Sequence, residues 1–192
     1  MSRIGRLPIG VPKDVKILQK NGKIVINGPL GELEYSLLEG ISVQQKNENL
    51  IVKRKEDSKQ LRAYHGLTRA LIQNMVIGVS VGYKKELQIV GVGYGAELIG
   101  KWIKLNLGFS HEVYVEIPSN LKVEIVPLVK GRKSGGLNVV SQICIKGISK
   151  EDVGKFTAEI RNIRPPENYK GKGIRYLGEY VKIKPGKKVA SQ

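Results

Sequence analysis

GKIVIN at Gly22–Asn27 returns as GKWIKLN at Gly100–Asn106, and this echo constrains the fold more than any other feature of the chain. Around the first copy, NGKIVINGPLGELEYSLLEG alternates apolar and polar residues and breaks at Gly28, Pro29 and Gly31. That pattern predicts a β-hairpin closed by a glycine-containing turn. ISVQQ and NLIVKRK follow as two short strands about the polar turn KNEN. After the N-cap pair Asp57-Ser58, the run KQLRAYHGLTRALIQNMVIG places Leu61, Tyr64, Leu67, Leu71 and Met75 at three- and four-residue spacing. It predicts an amphipathic helix ending before Gly78.

The second half repeats the theme in the same order. A new strand, KKELQIVGVGY, precedes GKWIKLN; SHEVYVEI supplies the hairpin arm, and LKVEIV and VVSQICIKG the next two strands. The helix EDVGKFTAEIRNI then opens at Ser149-Lys150-Glu151 and stops at Pro165-Pro166. An internal duplication is the economical account. The expected fold is α+β: two tandem similar domains, residues 1–82 and 83–192, each an antiparallel-rich β-sheet covered by one α-helix, plus a basic C-terminal extension. The second copy carries an additional loop, LVKGRKSGGLN, at residues 128–138.

Charge narrows the partners. The 192 residues hold 33 Lys and Arg against 17 Asp and Glu, a net charge of +16. Such an excess attracts polyanions over a Debye length. For an anionic membrane the chain lacks a long apolar run, a signal-type segment near Met1 and a basic amphipathic helix. Nucleic acid is therefore the expected partner. The single cysteine, Cys144, excludes an internal disulfide and a cysteine metal cluster; in VVSQICIKG it reads as a small, buried, inert thiol. The chain reads as reduced, soluble and cytosolic, or organellar; an N-terminus unlike a transit peptide favours synthesis in the compartment of use.

Enzyme signatures fail one by one. GVGYGA at Gly91–Ala96 fits a dinucleotide fingerprint only if a helix starts there, and strand-like alternation resumes instead. His65 and His111 lie in different repeats without metal-ligand or nucleophile companions, so packing or RNA contact is expected of both. The carboxylates are scattered among lysines, leaving no acid–base pair. No catalytic residue, metal, cofactor or small-molecule substrate is expected.

The segment RPPENYKGKGIRY, Arg164 to Tyr176, is different in kind. From Arg161 to Lys188 there are nine Lys or Arg against two acids, Glu167 and Glu179. Tyr169, Tyr176 and Tyr180 interleave with these cations and can stack on unpaired bases or pack against ribose. Gly171 and Gly173 let the main chain approach phosphates. The expected RNA-binding set is Arg161, Arg164, Tyr169, Lys170, Gly171, Lys172, Gly173, Arg175, Tyr176, Lys182 and Lys184, within a segment of about 164–192. Lys170, Lys172 and Arg175 lead as phosphate contacts. KPGKK and MSRIGRLP are weaker versions of the same signal. A basic module for acidic proteins, or a nucleic-acid enzyme, are the competing classes; the second needs a metal or general-base cluster that the sequence does not show.

RPPENYKGKGIRY also resembles the signature near the end of the sixth protein of the large ribosomal subunit, in its bacterial form. MSRIG, NGPLGEL, LTRALIQNMVIGV, LQIVGVGY, LNLGFSH and VGKFTAEIRNIRPPE extend the resemblance over nearly the whole chain. It implies two related α+β domains and a structural role in binding large-subunit (23S-type) rRNA near the factor-binding region and stalk base. It also implies neighbouring large-subunit proteins as partners, and a cytoplasmic or organellar ribosome as the location. Gly95 departs from the basic residue usual in that family.

Overall fold

The computed structural model describes residues 3–20, 22–46, 49–128, 133–134 and 137–184. The chain divides into two compact units, residues 1–83 with 147–150, and 84–146 with 151–192. The first contains α1 (Arg3–Arg6), β1 (Ile9–Gly10), β2 (Lys16–Lys20), β3 (Lys23–Gly28), β4 (Gly31–Ser36), β5 (Ile41–Lys46), β6 (Asn49–Arg54) and α2 (Lys59–Ser80). The second runs through β7 (Tyr83–Val90), β8 (Gly95–Ile99), β9 (Trp102–Asn106), β10 (Val113–Glu116), β11 (Leu121–Pro127), β12 (Lys133–Ser134), β13 (Leu137–Gly147), α3 (Lys150–Ile163) and β14 (Gly173–Tyr176).

Each unit splits its strands between two sheets. Sheet order β1-β6-β5 in the first corresponds to β7-β13-β11 in the second, and β2-β3-β4 corresponds to β8-β9-β10. The duplication read from the echo is thus a duplication of topology. The predicted turn at Gly28–Gly31 closes β3 on β4, with Gly28 opposite Gly31. KNEN lies partly outside the described residues. So does the 128–138 loop, within which Lys133–Ser134 pairs with Leu137–Asn138.

Period-two alternation explains the core of the first unit. Ile24 and Ile26 on β3, Ile41 and Val43 on β5, and Leu50 and Val52 on β6 all point inward and are buried. Ile72, Val76 and Val79 of α2 close over them. Ser58 caps α2 as predicted, its Oγ accepting from the Leu61 N–H at 3.2 Å.

Two details of α2 differ from expectation. The helix does not end before Gly78 but continues to Ser80. Its buried face is also one residue further round: His65, Thr68, Ile72, Val76 and Val79 are buried, whereas Leu67 is 50% exposed. His65 belongs to this core because both ring nitrogens are bonded. Nε2 donates to the Val52 carbonyl at 2.9 Å and Nδ1 accepts from Arg54 at 3.2 Å. A polar residue so satisfied is stable where hydropathy alone would not place it.

In the second unit Leu87, Ile89, Ile103, Leu105, Ile143, Ile145, Ile160 and Ile174 are fully buried. Cys144 is buried as read, and desolvation raises its pKa. In GVGYGA the first four residues form the turn between β7 and β8 and Gly95 and Ala96 open β8, with no helix behind it. No helix of the described residues is long and apolar enough to cross a membrane.

Candidate nucleic-acid interface

Pro165 and Pro166 end α3, and the chain turns back on itself. The Ile174 N–H donates to the Arg164 carbonyl at 2.8 Å, and the Glu167 N–H to the Lys172 carbonyl at 2.9 Å. Gly173 makes this return possible: its φ is +136°, and a Cβ there would stand 2.6 Å from the Pro165 carbonyl oxygen. Beyond it the chain becomes β14, antiparallel to β7, with Ile174 opposite Ile89 and Arg175 opposite Gln88. The basic signature is therefore half loop and half strand, and it completes the edge of the sheet.

This architecture sorts the expected RNA contacts. Lys170 and Tyr169 are exposed, Tyr169 at 64%, and Lys172 is half-buried beside them. With Tyr94, Arg164, Pro165 and Glu167 they border an open hollow of about 520 Å³. The Arg164 guanidinium lies 4.9 Å from the centre of the Phe109 ring, which stacks on His111 at 5.8 Å. Cations and flat rings thus meet at one place, contributed by the β7–β8 turn, the β9–β10 loop and the segment after α3.

Arg161, Gly171, Gly173, Arg175 and Tyr176 stand further from open solvent. Arg175 is only 8% exposed, and its Nε is buried without a hydrogen-bond acceptor among the described residues. Tyr176 is half-buried, with Lys85 Nζ 5.3 Å and Arg161 Cζ 5.6 Å from its ring centre. Arg161 is ion-paired with Glu179. Gly171 and Gly173 are buried within the return. Lys182 and Lys184 are exposed, and the Lys184 N–H donates to the Asn168 carbonyl at 2.7 Å, folding the trailing chain back over the loop. Lys187 and Lys188 lie outside the described residues.

Tyr94 and Phe109 carry no expectation from the sequence, whereas His111, beside Phe109, is expected to make a packing or RNA contact. The signal for Tyr94 and Phe109 was faint: an aromatic residue in each of two glycine-bearing loops, GVGYG and LGFSH. Among the described residues no group of three or more His, Cys, Asp or Glu side chains is arranged to hold a metal ion.

The scaffold is a duplicated α+β fold, strongly basic, with cations and rings gathered round the return after α3. The chain belongs to the ribosomal protein L6 family, whose model matches residues 11–82 and 90–177, one stretch in each unit. It is 48% identical to the large ribosomal subunit protein uL6 of Syntrophomonas wolfei over 97% of this chain and 98% of that one. The uL6c protein of Cyanophora paradoxa is 46% identical and that of Staphylococcus epidermidis, uL6, 43%, each over 97% of this chain and 98% of the relative. The family's role is structural and not catalytic.

Proposed function

We propose that this protein binds large-subunit ribosomal RNA through the return loop after α3, and so takes its place near the factor-binding region and stalk base. One observation carries the reading: Arg164, Tyr169, Lys170 and Lys172 gather with Tyr94 round one open hollow, Phe109 lying under the Arg164 guanidinium. Lys170 and Lys172 neutralise phosphates and release counterions. Arg164, flattened on Phe109, is held side-on for backbone oxygens, and Tyr169 offers a face to sugar or base. Because Pro165, Gly173 and β14 fix the loop to the sheet, little chain entropy remains to be lost on binding. Arg175 and Arg161 serve beneath the surface, holding the platform.

The test is a filter-binding titration of an rRNA fragment from the 3′ part of the large-subunit RNA at several salt concentrations. Lys170→Ala with Lys172→Ala is expected to weaken binding and to lower the slope of log K against log salt by about 1.4 to 1.8, for two phosphate contacts. An unchanged slope overturns the assignment.

A further inference from the structure

The duplication supplies an internal comparison. In each unit a three-stranded sheet turns one face outward, and register decides which side chains share it. On β2-β3-β4 that face presents Lys16, Lys20 and Lys23 among Leu18, Glu32 and Glu34. On β8-β9-β10 the corresponding face centres on Trp102, flanked in register by Ile99 and Glu116. The next row is Lys104, flanked by Glu97 and Tyr114. Three lysines and two carboxylates on the first face stand against one lysine, two carboxylates and two large rings on the second.

The one lysine in these rows is already engaged. Lys104 Nζ lies 2.6 Å from Glu112 Oε1, while the Tyr114 hydroxyl donates to Glu112 Oε2 at 2.7 Å. Glu97 and Glu116 have no salt-bridge partner among the described residues. Between them Trp102 is 44% exposed, Ile99 48% and Tyr114 50%. Exposed large apolar side chains side by side on a sheet mark an interaction surface. Unpaired carboxylates in the same rows repel a polynucleotide. They attract a cationic partner, and a Lys or Arg over the indole adds a cation–π contact.

We propose that the outward face of β8-β9-β10 docks a basic polypeptide segment of another protein, rich in Lys or Arg and carrying apolar side chains. The surface is separate from the hollow after α3 and does not depend on the RNA reading.

Trp102 is the only tryptophan in the chain, so its emission reports on this face. The full-length protein is titrated with a short synthetic Lys/Leu peptide, with its Glu/Leu counterpart and with single-stranded RNA. The Lys/Leu peptide alone is expected to give a saturable blue shift. Glu97→Gln with Glu116→Gln should weaken that binding about tenfold, while Lys170→Ala with Lys172→Ala should leave it unchanged. No shift with the Lys/Leu peptide, an equal shift with RNA or the Glu/Leu peptide, or full affinity in the double Gln variant overturns the proposal.

Discussion

Arg161 and Glu179 clamp the two ends of the return together. Arg161 Nε donates to Glu179 Oε2 at 3.0 Å, and the backbone N–H of Tyr176 donates to the same oxygen at 2.9 Å. One carboxylate therefore ties the last turn of α3 to the end of β14. The Arg161 hydrogen bond is the first cause holding the Glu179 carboxyl below its ordinary 4.5, against a desolvation that raises it; the Tyr176 N–H adds to the lowering. A depressed carboxyl contributes stability above its unfolded pKa and loses it as pH falls through the folded one. Glu179→Gln is expected to cost about 1 kcal/mol at neutral pH. It should also flatten the decline in stability below pH 4.5, as read by thermal melts across that range.

Gly173→Ala tests whether the loop must be folded back to bind. The methyl group meets the Pro165 carbonyl at a backbone angle that L side chains rarely adopt, which costs about 2 kcal/mol. The rRNA fragment should bind more weakly in this variant although every cation is still present. Equal affinity would show that the return is not needed.

Phe109→Ala separates shape from charge. It removes the ring beneath Arg164 and the stacking partner of His111 without altering charge. RNA affinity should fall about tenfold, the value of one lost stacking or cation–π contact. The salt slope should stay that of the parent, unlike the lysine variants.

Gly78→Ala runs against helix propensity. Alanine favours a helix interior by about 1 kcal/mol over glycine, yet a Cβ at this position of α2 overlaps the Ile148 carbonyl oxygen. The melting temperature should fall. A rise would mean that the chain near Ile148 yields easily.

The sequence carried the architecture because both copies keep the same punctuation, hairpin glycines followed by two strands and one helix, and local chemistry specifies such features. It was less informative about α2. Leu61, Tyr64, Leu67, Leu71 and Met75 make a respectable apolar stripe, but His65 and Thr68 occupy the inward positions, His65 with its hydrogen bonds met from β6. Gly78 resembles a stop signal and is instead a place of close approach. β14 was invisible because its four residues, GIRY, lie among cations and glycines, and its partner β7 is more than 80 residues earlier. The exposed cations of the interface could be read directly. Tyr94 and Phe109 could not, since they reach the site only through folding.

That remote pairing orders the protein's own birth. β14 follows β7 by more than 80 residues, so the edge of β7 is covered only once that interval has been made and closed as a long loop. A nascent chain halted before Gly173 leaves a hydrophobic strand with open backbone groups, a template for mispairing. Completion of the edge and completion of the return after α3 are one event, so an unfinished copy lacks both.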